Sequence, residues 1–140
     1  MSTLFTKIID GDIPGRFVWR DEEVVAFLTI SPIAPGHTLV VPRAEVDHWL
    51  DLDPRLAERC MAVAQVIGQA QMAAFSPTRI GMIIAGLEVP HTHLHLIPVD
   101  TEADLSFSKA DPSPDPASLD DAAERIRAAL RQAGRPEVAD

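Results

Sequence analysis

Apolar residues recur along this chain at two spacings, and the switch between them divides it into strands and helices. Phe17 to Arg20 and Val24 to Ile30 are dense in β-branched and aromatic side chains, and Asp21-Glu22 between them predicts a tight hairpin turn. Ser31-Pro32-Ile33-Ala34-Pro35-Gly36 is a turn cluster. His37 to Pro42 predicts a further strand, which Pro42 ends or marks as an edge because proline cannot donate to a ladder. From Asp53 the period changes. An Asp N-cap precedes Pro54 at the first helical position. Leu56, Cys60, Val63, Ala64 and Ile67 share a helical face, which predicts a helix to about Ala74. Thr78 to Ala85, around Met82-Ile83-Ile84, predicts a strand that Gly86 breaks. A last apolar run over residues 89–98 predicts the strand beside it. Residues 99–117 carry Pro112, Pro114 and Pro116 among Ser and Asp and read as an irregular surface connection. Ser118-Leu119-Asp120-Asp121 resembles a capping-box start. Ala122, Ile126, Ala129 and Leu130 form a stripe and Gly134 is a C-cap, so the helix expected is 118–133. Strands, helix, strands, helix in that order suit a single α+β domain, 1–140, with an antiparallel sheet.

The last apolar run holds the candidate chemistry. His91, His93 and His95 alternate with Thr92, Leu94 and Leu96, so three of the five histidines fall within five residues. On a straight strand the three imidazoles would share one face, about 6.5–7 Å apart, and the alternate side chains would enter a core. Each imidazole on such a face gives up apolar burial and needs a polar partner.

Composition narrows the classes. The chain has 140 residues, 46% of them hydrophobic, enough for one domain with a real core. Its net charge of −9 argues against nonspecific nucleic-acid binding and against an anionic membrane surface. A small phosphate ligand remains compatible, because a site can be locally favourable to anions. Cys60 is the only cysteine, so no internal disulfide or zinc ribbon can form. Residues 1–12 lack a basic segment followed by an apolar stretch, and no run approaches the roughly 18 apolar residues of a membrane span. The expectation is a cytoplasmic, soluble domain.

Imidazole can serve near neutral pH as nucleophile, proton shuttle or metal ligand. Three histidines on a straight strand would span roughly 13 Å, whereas one zinc ion needs every ligand at about 2 Å. A central nucleophile, His93, attacking phosphorus or an acyl carbon with its neighbours holding charge, fits the spacing better. A purely structural role for the triplet stays open at this level.

The run His91-Thr92-His93-Leu94-His95-Leu96-Ile97 is similar to the histidine triad signature. Phe5-Thr6-Lys7-Ile8-Ile9-Asp10-Gly11-Asp12-Ile13-Pro14 resembles that family's N-terminal stretch. Val25-Ala26-Phe27, Ser31-Pro32 and Pro35-Gly36-His37-Thr38-Leu39-Val40-Val41-Pro42 resemble its next block. The likeness covers residues 4–98, so 1–98 is the family-like core. It implies a five-stranded antiparallel sheet with a central and a C-terminal helix, assembled as a homodimer. It also implies hydrolysis or transfer at the α-phosphate of a nucleotide or related phosphate compound. On that reading His93 is the nucleophile and forms a covalent nucleotidyl-imidazole. His37 and His95 hydrogen-bond the phosphate oxygens or protonate the leaving group. His91 orients its neighbour, its carbonyl accepting from the His93 ring nitrogen that does not attack. Water is the second substrate, and no metal or other cofactor enters the chemical step.

The chain departs from the family's pattern in the ligand-binding positions. Where an acidic residue or Asn binds the ribose, this chain has Thr29. Where a Gln or Ser touches the phosphate, it has Leu87. The polar loop before the triad is replaced by Met82-Ile83-Ile84-Ala85-Gly86, and the whole chain contains no Asn. Gly86 can admit a ligand to the backbone or merely turn the chain, and Glu88 is a candidate replacement polar group. His48 reads as a surface or packing residue and Arg43 as a solvated arginine. Three readings therefore stand: a histidine triad hydrolase or transferase, a phosphate-binding module of the same fold with weakened catalysis, and a metal site using part of the triplet.

Overall fold

Asp21 closes the first hairpin of the structure, a computed structural model that describes residues 2–140. Its Oδ1 accepts the N–H groups of Glu23 and Val24, both at 2.8 Å, and so turns β1 (Phe17–Arg20) into β2 (Val24–Leu28). The second strand is shorter than its apolar run predicts. Thr29 Oγ1 accepts the Ser31 N–H at 3.2 Å, the chain turns there, and Ile30 is left 72% exposed. After β3 (Thr38–Pro42) comes α2 (Pro54–Phe75), begun as expected by Asp53 accepting the Arg55 N–H. The strands β4 (Arg79–Ile83) and β5 (Leu94–Val99) follow and pair with each other. The result is a five-stranded antiparallel sheet in the order β1-β2-β3-β5-β4.

The two faces of this sheet are covered differently. Val18, Val24, Ala26, Leu28, Val40, Leu94 and Leu96 bury against α2 and against α3 (Pro116–Gln132). Phe17, Val25, Phe27, Leu39 and Val41 pack on the other face under a six-residue helix, α1 (Leu4–Ile9). Gln71 of α2, itself buried, donates from Nε2 to the carbonyls of Gly36 and Leu96 at 2.9 and 3.0 Å. It thereby ties the start of β3 to β5, and those two places carry His37 and His95.

Three expectations need correction. The histidine run is not one straight strand. Only His95 lies within β5, whose ladder to β3 begins at Leu94 opposite Val40. Before it, Thr92 gives both its N–H and its hydroxyl to the Val46 carbonyl, at 2.7 and 2.8 Å, and the His91 N–H turns back to Val89. These bonds go to a loop, so His91 and His93 sit in the curved approach to the strand. Second, the C-terminal helix begins two residues before Ser118: Asp115 caps it and Pro116 opens it, the same Asp-Pro device as at Asp53-Pro54. It ends at Gln132, where Gly134 at φ +75° and the Arg135 N–H to Leu130 bond complete a Schellman stop. Third, the connection after β5 contains two short 3₁₀ turns, Glu102–Asp104 and Phe107–Lys109. Among the described residues, no helix is long and apolar enough to cross a membrane.

Candidate active site

Four histidines meet at the edge of the sheet face that α1 covers. Their hydrogen-bond partners are groups that can play only one part, and this determines where each ring carries its hydrogen. Ile33 donates its N–H to His37 Nδ1 at 3.0 Å. A neutral His37 must therefore hold its hydrogen on Nε2, which donates to His95 Nδ1 at 2.9 Å. His95 is left with its hydrogen on Nε2, free to donate outward. His93 follows the opposite rule. Its Nδ1 donates to the His91 carbonyl at 2.7 Å, so Nε2 keeps its lone pair. That nitrogen has no protein partner and is not a buried orphan, so it opens to solvent, although the residue as a whole is only 7% exposed. The His93 and His95 rings lie 4.9 Å apart by centroid, closer than a straight strand permits. The pair thus presents one lone pair beside one N–H donor.

Burial keeps these rings neutral. It pushes His37 down to about 3, helped by the neighbouring His95 and His93 rings. It pushes His95 to about 4, again with help from His93. His93 is lowered too, chiefly by burial, while its bond to the His91 carbonyl and the Glu88 charge resist the shift. An unprotonated imidazole with an open ring nitrogen is chemically able to act as a nucleophile. His91 is fully buried, with Nε2 donating to the Pro42 carbonyl at 2.7 Å and Nδ1 paired with Thr3 Oγ1 at 2.7 Å. Both its ring nitrogens are engaged within the protein, and its carbonyl accepts from His93.

Residues 10–102 match the HIT domain family. The chain belongs to the histidine triad family. The protein named hit of Bacillus subtilis (strain 168) is 37% identical over 100 residues, 68% of this chain and 69% of that one. The purine nucleoside phosphoramidase of Escherichia coli (strain K12) is 35% identical over 101 residues, 68% of this chain and 85% of its own length. Among solved structures, a zinc-bound histidine triad protein from Mycobacterium smegmatis superposes with a TM-score of 0.82 at 30% identity, covering 96% of both chains. The five-stranded open sheet with its helices is thus the fold of the histidine triad family. In this chain the residues do not fit zinc held by the triplet: His91 has both ring nitrogens engaged. Among the described residues, no group of three or more His, Cys, Asp or Glu side chains is placed to hold a metal ion.

The remaining candidates divide. His37 is brought to the triad, with both its nitrogens engaged, one of them to His95. Thr29 sits at the end of β2 with its hydroxyl accepting from Ser31. Gly86 turns the chain at φ +75°. Leu87 is 95% exposed, and Glu88 is exposed with its charge felt at His93. His48 lies at the surface, as expected. Arg43 is not free: its Nε donates to the Asp21 carbonyl at 2.8 Å. Three participants had no strong sequence signal. Thr3 reaches His91 from the N-terminus. Phe5 of α1 lies edge-on to His93 at 4.8 Å, and Phe107, 49% exposed, lies edge-on to His95 at 5.0 Å. Phe5 and Ile8 do repeat at helical spacing after Thr3, which was the available hint for α1.

Proposed function

We propose that this histidine triad protein hydrolyses or transfers at the α-phosphate of a nucleotide-type substrate, a nucleoside phosphoramidate or a related ester, through a covalent nucleotidyl-His93 intermediate. The observation that carries this reading is the tautomer pattern: a lone pair on His93 Nε2 next to a donor on His95 Nε2. His93 Nε2 attacks the α-phosphorus, a P–N bond to the ring forms, and the bond to the leaving nitrogen or oxygen breaks. His95 donates its Nε2 hydrogen bond to the phosphoryl oxygen as charge builds there, or gives that proton to the leaving nitrogen or oxygen and regains one from the attacking water. Water then displaces His93, and the nucleoside monophosphate departs. The relationship to a purine nucleoside phosphoramidase supports a phosphoramidate as the first substrate to try.

Incubation with adenosine phosphoramidate and dinucleoside polyphosphates, followed by phosphorus NMR and intact mass of quenched protein, tests the reading. The expected result is turnover and a nucleotidyl adduct in the parent, both absent from His93→Ala. Equal turnover by the two proteins would remove His93 from the mechanism.

A second reading has its own support. The engaged Thr29 hydroxyl and the projecting Leu87 leave fewer polar groups for a nucleotide, each lost bond to a charged ligand costing about 1.5–3 kcal/mol. A phosphate-binding module with little turnover would show weak or absent thermal stabilisation by AMP or GMP and no phosphoramidate hydrolysis. The assembly we propose is a homodimer through the open edge of β4. Ile80 and Met82 there stand beside Met61 and Met72 of α2, both of which are partly exposed. Light scattering on the eluted protein reads its mass directly.

A further inference from the structure

We propose that Thr3 is a positioning residue of the triad: its hydroxyl hydrogen holds His91 in the tautomer that aims the His91 carbonyl at His93. Thr3 lies outside residues 10–102, the segment that matches the family. The proposal rests on His93 being the nucleophile.

Three parts of the chain converge on Thr3. Its Oγ1 accepts the Thr6 N–H at 3.1 Å and so caps α1. Its backbone N–H donates to Glu45 Oε1 at 2.7 Å, in the segment that follows β3. Its hydroxyl lies 2.7 Å from His91 Nδ1, and the alternative acceptor, Thr6 Oγ1, is farther away at 3.3 Å. The His91 ring has no freedom in this arrangement. The Pro42 carbonyl can only accept, so His91 Nε2 must carry the hydrogen. Nδ1 then carries a lone pair inside a fully buried ring and needs a donor. The Thr3 hydroxyl is that donor.

The link to His93 is one residue long. The ring of His91, pinned at both nitrogens, orients the peptide of the same residue, and that carbonyl accepts the His93 Nδ1–H at 2.7 Å. Without the hydroxyl, the buried lone pair on His91 Nδ1 loses its donor, and an acceptor put in its place draws a proton onto Nδ1. The ring moves, the carbonyl moves with it, and the constraint on the His93 tautomer weakens. The Nε2 lone pair of His93 is then present for only part of the time.

Thr3→Asp separates this role from helix capping. Asp is as good an N-cap but offers His91 only acceptors. Histidine-ring nitrogen-15 NMR reads the tautomers, and carbethoxylation of His93, located by mass spectrometry, reads the availability of Nε2. In Thr3→Asp we expect the His91 Nδ1 signal to move from the lone-pair to the protonated position. We expect His93 modification to slow about tenfold, the factor one lost hydrogen bond carries. On a phosphoramidate substrate, kcat falls by a similar factor with KM little changed. Thr3→Ser restores all three readings. Thr3→Val, which keeps the side-chain shape, removes the donor without adding an acceptor, so the same slowing of His93 modification is expected from it should the Asp variant fold poorly. Unchanged His91 signals, or His93 modified at the parent rate, in folded Thr3→Asp overturn the proposal. A parent that turns over no phosphoramidate sinks the functional reading alone, because ring signals and modification still judge Thr3.

Discussion

An imidazole whose partners are a peptide N–H or a carbonyl has its tautomer decided by them, and four such rings here reduce to a single arrangement. The Ile33 N–H fixes the direction of the His37–His95 bond, and the His91 carbonyl fixes that of His93. His37→Leu therefore removes a directed donor without touching the nucleophile. We expect its kcat to fall about tenfold or more while the nucleotidyl adduct still forms, as read by single-turnover mass spectrometry. Asp21 is the contrasting case. It accepts from Trp19 Nε1 at 2.9 Å, from two backbone N–H groups, and from Arg59 at 2.8 Å, away from the histidines. Asp21→Ala should lower stability by about 2–3 kcal/mol in urea unfolding and leave turnover per folded molecule unchanged. The triplet itself was legible because His at alternate positions is rare in an apolar run. The partners were not. A threonine near the N-terminus and a proline carbonyl at position 42 carry no local mark of the ring they serve.

Elements were legible where a local device makes them. The Asp-Pro pairs at 53–54 and 115–116 start both long helices, yet a weaker Ser cap at 118 drew the start of the second too late. The apolar run to Ile30 suggested more strand than exists, because a hydroxyl turn at Thr29 outcompetes the ladder. The histidine strand failed for a tertiary reason: Val46, some 46 positions before Thr92, supplies the carbonyl that bends the approach. That bend brings the His93 and His95 rings to 4.9 Å. Gly36 is another position where distant packing decides. It has φ +88°, and a Cβ there would come within 2.4 Å of the Phe75 ring of α2. Gly36→Ala should destabilise the protein by about 2 kcal/mol or more. It should also disturb the adjacent His37, so that kcat falls beyond what the loss of folded protein explains, measured with urea unfolding and active-site titration together.

At the scale of the whole molecule, burying three neutral imidazoles has a consequence for pH. Unfolded, each binds a proton below its ordinary value near 6.5. Folded, His95 resists until about 4 and His37 until about 3. Between those limits the unfolded chain holds more protons, so stability is full above about 6.5 and falls as the pH drops toward 4 and then 3. The urea midpoint across that range should show the decline, and His95→Gln should flatten it. A slope unchanged by that substitution would mean His95 already titrates normally in the fold.

Read alone, the amino-acid order settles the α+β class, the family, both long helices and the identity of the four histidines. Each of those rests on a local pattern: a cap, a period or a motif. Only the folded molecule decides which nitrogen of His37, His91 and His95 carries hydrogen, that His37 bonds His95, and that Thr3 stands behind His91. The bonds of His91 to Pro42 and Thr3 and of His37 to His95 span 49, 88 and 58 positions, and no short-range signal records them.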